Sequence, residues 1–456
     1  MHFDSIVIGA GQAGPAMAEQ LAKAGETVAI IERHHMGGTC VNNGCMPTKA
    51  MVASAYAAWL AREGARFGVD AGGVRIDWAR VHAHKEKVVQ TARGNVTRWM
   101  ENTQGVTLIR GHARFTSATS VAVDGAMLTA KRFFINVGAR AVIPPIPGID
   151  GIKVLTNADI MDVDRVPEHL LIVGGSYIGL EFAQIFRRLG AEVTVVERFP
   201  QIIAREDPDV IEAVRGIVTG EGVAIHTGIE DLAFTSGDPI SYRFTGADGV
   251  VREGTASHVL AATGRRPNTD DLGLAEAGIT PDPRGFIPVD EGCRTVVPHI
   301  FALGEVNARG AFTHTAFNDF EIVADNLLRG KDRKVTDRHP CYGLFIDPPL
   351  GRIGMTEAAA RSAGRPMLVG KRMMTRVGRA VESGETRGFM KIVIDAETRT
   401  LLGAAVIGYR GDEAVQSLLA PLYTGMTIDA VMAIVGIHPT VVELLPYAIA
   451  SATPVT

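Results

Sequence analysis

Cysteine is scarce in this chain: Cys40, Cys45, Cys293 and Cys341 are the only four among 456 residues. Four are too few to scaffold a secreted protein of this length with disulfides. No C-x2-C pair occurs either, so a structural zinc site, which wants four clustered ligands, has no support. Long apolar runs are also missing. The best late candidate is broken by Pro421 and Asp429, so no membrane-spanning segment is expected. Charge of one sign is nowhere concentrated: 46 basic and 50 acidic residues are spread along the chain, for a net charge of −4. That distribution excludes the basic stripe of a nucleic-acid or anionic-membrane binder. No signal peptide precedes the first apolar run, because HFDSIVIG opens the fold almost at residue 1. A reducing, cytoplasmic compartment is the expectation. There, two cysteines separated by four residues point to redox chemistry or metal binding before structural stapling.

What the chain has in abundance is glycine, 51 residues of it, with 46% hydrophobic residues to bury. The length predicts two to four domains. The glycines follow apolar runs, where tight turns and phosphate loops need them. Two such places repeat one another. Residues 5–32 read as strand SIVIG, loop Gly9-Ala-Gly11-Gln-Ala-Gly14, a helix, then strand TVAIIE ending on Glu32. Residues 169–197 do the same through Gly174, Ser176 and Gly179 to Glu197. In a dinucleotide-binding unit the first glycine permits the turn, the second lets backbone approach a pyrophosphate, and the third lets helix pack on strand. The acid then meets a ribose hydroxyl. Ser176 replaces the second glycine of the later copy. Glu197 favours NADH over NADPH, since a carboxylate repels a 2′-phosphate, although Arg198 and Arg205 lie close in sequence.

Residues 75–105 read as helix, with Trp78 and Trp99 as packing anchors, and 106–137 as short strands. VIPPIPGID (142–150) is a stiff crossing, and further boundaries fall near 264–270 and 330–340. The predicted fold class is α/β: two Rossmann-like dinucleotide-binding domains and a C-terminal α+β module. The expected division is 1–150 and 269–335 for the first nucleotide domain, 151–268 for the second and 336–456 for the α+β module.

The segment with most chemistry is Gly37-Gly38-Thr39-Cys40-Val-Asn-Asn-Gly44-Cys45-Met-Pro47-Thr-Lys49. Pro47 and the apolar run after it predict a helix starting near Cys45. The dipole of such a helix favours a thiolate at its first residue.

With these motifs in order, the chain resembles the class I pyridine nucleotide–disulfide oxidoreductases, a family that includes dihydrolipoamide dehydrogenase, glutathione reductase and mercuric reductase. AATGRRPN (261–268), TVVPHIFALG (295–304), GRIGMTE (351–357), GFMKIVIDAETRTLLGAAVIG and GIHPTVVELLP (436–446) extend the likeness nearly end to end. The resemblance implies FAD in the first nucleotide domain (1–150 and 269–335), NADH or NADPH as electron donor in the second (151–268), and dimerisation through residues 336–456. It makes Cys45 the flavin-side thiol, Cys40 the interchange thiol, Lys49 and Glu181 a pair beside the flavin, and Tyr177 a gate for the nicotinamide. His438 and Glu443 would form an acid–base dyad reaching the partner subunit's site, which implies a homodimer. Gly38, Thr39, Ala113, Gly304, Glu305 and Thr313 would line FAD, and Gly264 would add a cofactor contact. Glu305 stands where the family usually has aspartate. The implied acceptor is a small-molecule disulfide, a quinone, or a metal ion such as Hg(II) or Cu(II). The ending SATPVT carries no second cysteine pair, which counts against efficient Hg(II) reduction. The rival reading is an NAD(P)H oxidase or transhydrogenase that needs no disulfide.

Overall fold

Strands apolar on both faces build the first sheet of the computed structural model, which describes residues 1–455. Along the strand His2–Ile8, Ile6 and Ile8 face one apolar layer and Val7 the other. Both faces are therefore buried, as a parallel sheet requires. Val106–Arg110, Val28–Glu32, His2–Ile8 and Ala126–Ile135 run side by side in parallel, with Ile300–Ala302 added beside the last. Two short antiparallel strands, Ser120–Val123 and Ala113–Ser117, extend the edge. One face is covered by the helices Gly14–Lys23 and Thr313–Arg329, which meet Phe134 and Phe301.

The second glycine unit repeats this plan. Ala224–Thr227, Glu192–Glu197, His169–Val173, His258–Ala261 and Val154–Leu155 form a five-stranded parallel sheet. The helix Tyr177–Leu189 is covered on nearly every side. From residue 341 the architecture changes to a six-stranded sheet, antiparallel throughout, in the order Cys341–Leu344, Leu350–Gly354, Leu401–Ile407, Phe389–Asp395, Met367–Met373 and Thr453–Val455. The expected α/β class with a C-terminal α+β module is what the chain adopts.

One apolar cluster positions the site. Met51 and Ala55 from the helix Cys45–Glu63, Phe182 and Phe186 from Tyr177–Leu189, and Leu344, Phe389 and Ile407 from the antiparallel sheet pack together. Three parts of the chain are thereby locked around one corner.

The helix Trp78–Asn102 matches expectation, opening on Asp77, whose carboxylate accepts from Arg80 N. Trp78 is the anchor predicted, its ring 5.9 Å from Phe186 and its Nε1 donating to Val163 O. Trp99 is not. It is 37% exposed, and its Nε1 donates to the Glu19 carboxylate. An indole has a polar edge as well as an apolar face, and here the polar edge decides its place. Among the described residues no helix is long and apolar enough to cross a membrane.

Candidate active site

Cys40 sits in the short helix Gly38–Asn42, and Cys45 is the first residue of the 19-residue helix Cys45–Glu63. Gly44 between them lies against Thr39, and a β-carbon there would come within 2.8 Å of Thr39 O. The asparagines fasten the loop: Asn42 Nδ2 donates to Met36 O and Gly38 O, and Asn43 O accepts from Asn157. Neither sulfur is placed by chance.

The two thiols are electrostatically unequal. Cys45 Sγ lies 3.2 Å from Thr313 Oγ1. A hydrogen bond from Cys40, then the Thr313 hydroxyl and the Lys49 ammonium, bring the Cys45 thiol down to about 6 against the opposing effect of burial. Cys40, donating to that sulfur and partly desolvated, is pushed up. One negative charge is thus shared unevenly, with Cys45 holding it and Cys40 keeping the proton.

Lys49 follows Cys45 by four residues and so shares its helix face. Its Nζ lies 2.7 Å from Glu181 Oε2 and 4.2 Å above the centre of the Phe345 ring. Glu181 Oε1 accepts from Phe345 N. The predicted pair therefore exists, with a third participant that the sequence did not announce.

His438 and Glu443 also meet. His438 Nδ1 lies 3.0 Å from both carboxylate oxygens of Glu443, which further accepts from Thr440 N. The His438 side chain is 80% exposed, and none of its hydrogen bonds reaches the cysteines of its own chain. Around it Ile434, Val435, Ile437 and Tyr447 stand exposed. Such an apolar strip calls for a covering surface.

A family model described as pyridine nucleotide-disulphide oxidoreductase matches residues 3–319, and one for that family's dimerisation domain matches residues 342–449. The chain belongs to this family. It is 33% identical to a mercuric reductase of Streptomyces lividans over 434 residues, covering 94% of this chain and 91% of that protein. It is 31% identical to a dihydrolipoyl dehydrogenase of Chlamydia muridarum over 452 residues, covering 97% and 95%. Among solved structures it resembles the Cu(II) complex of the HOCl-induced flavoprotein disulfide reductase RclA from Escherichia coli. The TM-score there is 0.90 at 30% identity, with 99% of each chain covered. As a member of this flavoprotein disulfide reductase family the chain is an oxidoreductase that works with FAD and a pyridine nucleotide, and its dimerisation domain makes it a homodimer.

The residues present fit both groups. Gly9, at φ +98°, has no room for a β-carbon beside Asn136 O, and one on Gly38 would press on Gly11 Cα at 2.7 Å. Three backbone segments thus converge bare of side chains. They meet at the start of a helix whose N-cap residue, Ala13, has no capping side chain and whose first N–H is taken by Asn136 Oδ1, an approach open enough at the backbone for an anionic pyrophosphate. The second loop copies the first: Gly174, at φ +114°, abuts Ala262 O, and Gly179 packs on Gly174 O. Ser176 is the exposed, extended N-cap residue there, so replacing the second glycine costs no strain. The terminal acids are alike too. Glu32 accepts from Ala10 N and His34 N, and Glu197 accepts from Gly175 N and Phe199 N. Each carboxylate braces its own loop.

Other predicted positions scatter more. Ala113 is a core residue at 3% exposure, so it offers a ligand only backbone. Glu305 forms an ion pair with Arg265 at 2.7 Å, and Gly304 N donates to Asp319. Gly264, at φ +124°, precedes Arg265 in an exposed turn. Thr39 is exposed beside Cys40. Tyr177 Oη donates to Glu206. Sequence reasoning missed Asn136, which holds Gly14 N and Leu303 O together. Its signal was a single amide ending the apolar run FFIN. Two acidic groups with metal-like spacing occur among the described residues, and both hold a lysine instead. Lys85 sits among His82, Glu86 and Asp162, and Lys391 among Asp207, Asp209 and Glu357.

Proposed function

We propose that the chain is an NAD(P)H-dependent reductase of a thiol-reactive acceptor, a small disulfide first, working through Cys40 and Cys45. The carrying observation is the asymmetry of the two thiols. Residues 1–150 and 269–335 are read as holding FAD, 151–268 the nicotinamide nucleotide, and 336–456 the dimer contact, in a reducing cytoplasmic setting. Bound FAD supplies a two-electron acceptor for nicotinamide hydride and a donor to the cysteine disulfide. Gly9, Gly11, Gly14, Glu32, Gly38 and Thr39 would hold its nucleotide half, with Gly304, Glu305, Thr313 and the Lys49–Glu181 pair toward the ring. Gly174, Gly179 and Glu197 would hold the donor, and Tyr177 covers the place where its nicotinamide lies.

The reduced pair then acts with separate jobs. Cys40 keeps its proton, so it needs a base before it can attack. The partner's copy of His438 takes that proton, and Cys40 attacks one sulfur of the substrate disulfide. The leaving thiolate accepts the proton back. Cys45 thiolate attacks Cys40, the internal disulfide re-forms, and the second half of the substrate departs as a thiolate that takes its proton from water. Glu443 orients the imidazole and stabilises its charged form.

A second reading is favoured by one observation: the similar RclA structure is a Cu(II) complex. A dithiol giving two electrons would reduce two Cu(II) to Cu(I). Anaerobic NADH oxidation with glutathione disulfide, lipoamide, Cu(II), Hg(II) and a quinone distinguishes these acceptors. No turnover with any thiol-reactive acceptor overturns the proposal.

Two expected results follow here. Thr313→Val removes a donor from Cys45 and raises its pKa; a rise of about one unit gives roughly fivefold less thiolate near pH 6 in the reduced protein. The pH dependence of ultraviolet thiolate absorption reads this directly. Separately, kcat/KM is expected to be about tenfold higher for NADH than for NADPH, because Glu197 repels a 2′-phosphate. Equal values would mean that exposed Arg198 compensates.

A further inference from the structure

Among the ties between the second nucleotide unit and the antiparallel sheet, the Glu206 carboxylate is the one that also holds Tyr177. Glu206 Oε1 accepts from Tyr177 Oη at 3.1 Å and from Tyr342 Oη at 2.8 Å. Its Oε2 accepts from Arg352 Nε at 3.0 Å and Nη2 at 2.5 Å. Arg352 is fully buried in the strand Leu350–Gly354, cross-strand from Tyr342. The two tyrosine rings meet edge to face at 5.6 Å.

Tyr177 precedes Glu181 by four residues, so its ring shares the helix face that presents Glu181 to Lys49. Glu206 itself is held from the nucleotide loop. Its N–H donates to Ile203 O, and Ile203 N donates to Gly175 O. Ile203 sits at φ +38°, a region that β-branched residues rarely enter. Backbone strain at this link is retained by bonds to the loop on one side and to Glu206 on the other.

We infer that Glu206 is a positioning residue for nicotinamide entry: a latch that holds Tyr177 closed and is itself anchored to the dimerisation sheet through Arg352. This rests on the reading of Tyr177 as the cover of the nicotinamide place. Opening breaks the Tyr177–Glu206 hydrogen bond, while Tyr342 and Arg352 keep the carboxylate still. The swing is therefore confined to one side chain rather than shared with the domain.

The test compares two nucleotides on the FAD-loaded dimer by calorimetry. NAD+ carries the nicotinamide that must displace Tyr177, whereas ADP-ribose lacks it. Tyr177→Phe and Glu206→Gln are each expected to tighten NAD+ binding about threefold to tenfold and to leave ADP-ribose unchanged. The double variant is expected to match Tyr177→Phe, because both lesions act on one bond. Should Glu206→Gln not fold with Arg352 left to Asp207 alone at 3.3 Å, Glu206→Asp keeps the charge and shortens the reach to Tyr177, with the same expectation. Parallel shifts for both nucleotides, or no shift in either Glu206 variant while Tyr177→Phe separates them, overturn the latch. If Tyr177→Phe itself fails to separate them, the cover reading falls. Neither readout involves the thiols, so the disulfide mechanism stands or falls apart from it.

Discussion

Cys45→Ser is expected to lose reduction of every disulfide acceptor, by about 10³-fold or more, while FAD binding and nucleotide oxidation by ferricyanide persist. A lone Cys40 can form a mixed disulfide with substrate but has no second sulfur to release it. One thiol equivalent is therefore liberated, and turnover stops. Cys40 in that variant also lacks the neighbour whose negative charge and hydrogen bond push its own pKa up. Stoichiometric labelling by glutathione disulfide, followed by mass spectrometry, is the measurement. Sustained turnover in Cys45→Ser would place the acceptor chemistry elsewhere and favour the oxidase or transhydrogenase reading.

His438→Ala is expected to cost about 10²- to 10⁴-fold in acceptor turnover, the range for a lost general acid–base group. Hydride transfer from nucleotide to FAD should be unchanged, since that step moves no proton to or from Cys40. Glu443→Gln should cost less, because the imidazole remains but loses its charged brace at 3.0 Å. The sharper experiment mixes subunits. If His438 serves the partner's cysteines, a hybrid of Cys45→Ser and His438→Ala subunits has one doubly damaged site and one intact site. Random reassortment then restores about a quarter of wild-type activity from two inactive parents. No restoration, with hybrids demonstrated by tag exchange, would place the dyad in its own subunit's site.

How much of this was readable in advance follows contact distance along the chain. The glycine loops and the Cys40–Cys45 spacing are local patterns; the spacing narrowed the cysteines to redox chemistry or metal binding, and the resemblance chose between them. The Lys49–Glu181 and His438–Glu443 pairs were legible only through the family resemblance, because nothing in either short segment names its partner. Glu206, Tyr342 and Arg352 were not legible: Arg352 and Glu206 lie 146 residues apart and meet only when two sheets dock. Glu305 was read as lining FAD, and its ion-pair partner Arg265 was not foreseen. Trp99 went wrong because an aromatic in a helix pattern was read by its ring rather than its N–H. Burial of polar side chains, decided by tertiary packing, was the common blind spot.

The two lysine-filled acidic clusters have a bearing on inorganic chemistry. Lys85 and Lys391 are nearly fully buried, so an incoming divalent ion would have to evict an ammonium and strand it, at a cost of several kcal/mol. Carboxylate oxygens that could chelate a stray ion are thus already neutralised from within. A thiophilic ion meets an ammonium in place of a chelating gap at both clusters, and an exposed thiol at Cys45.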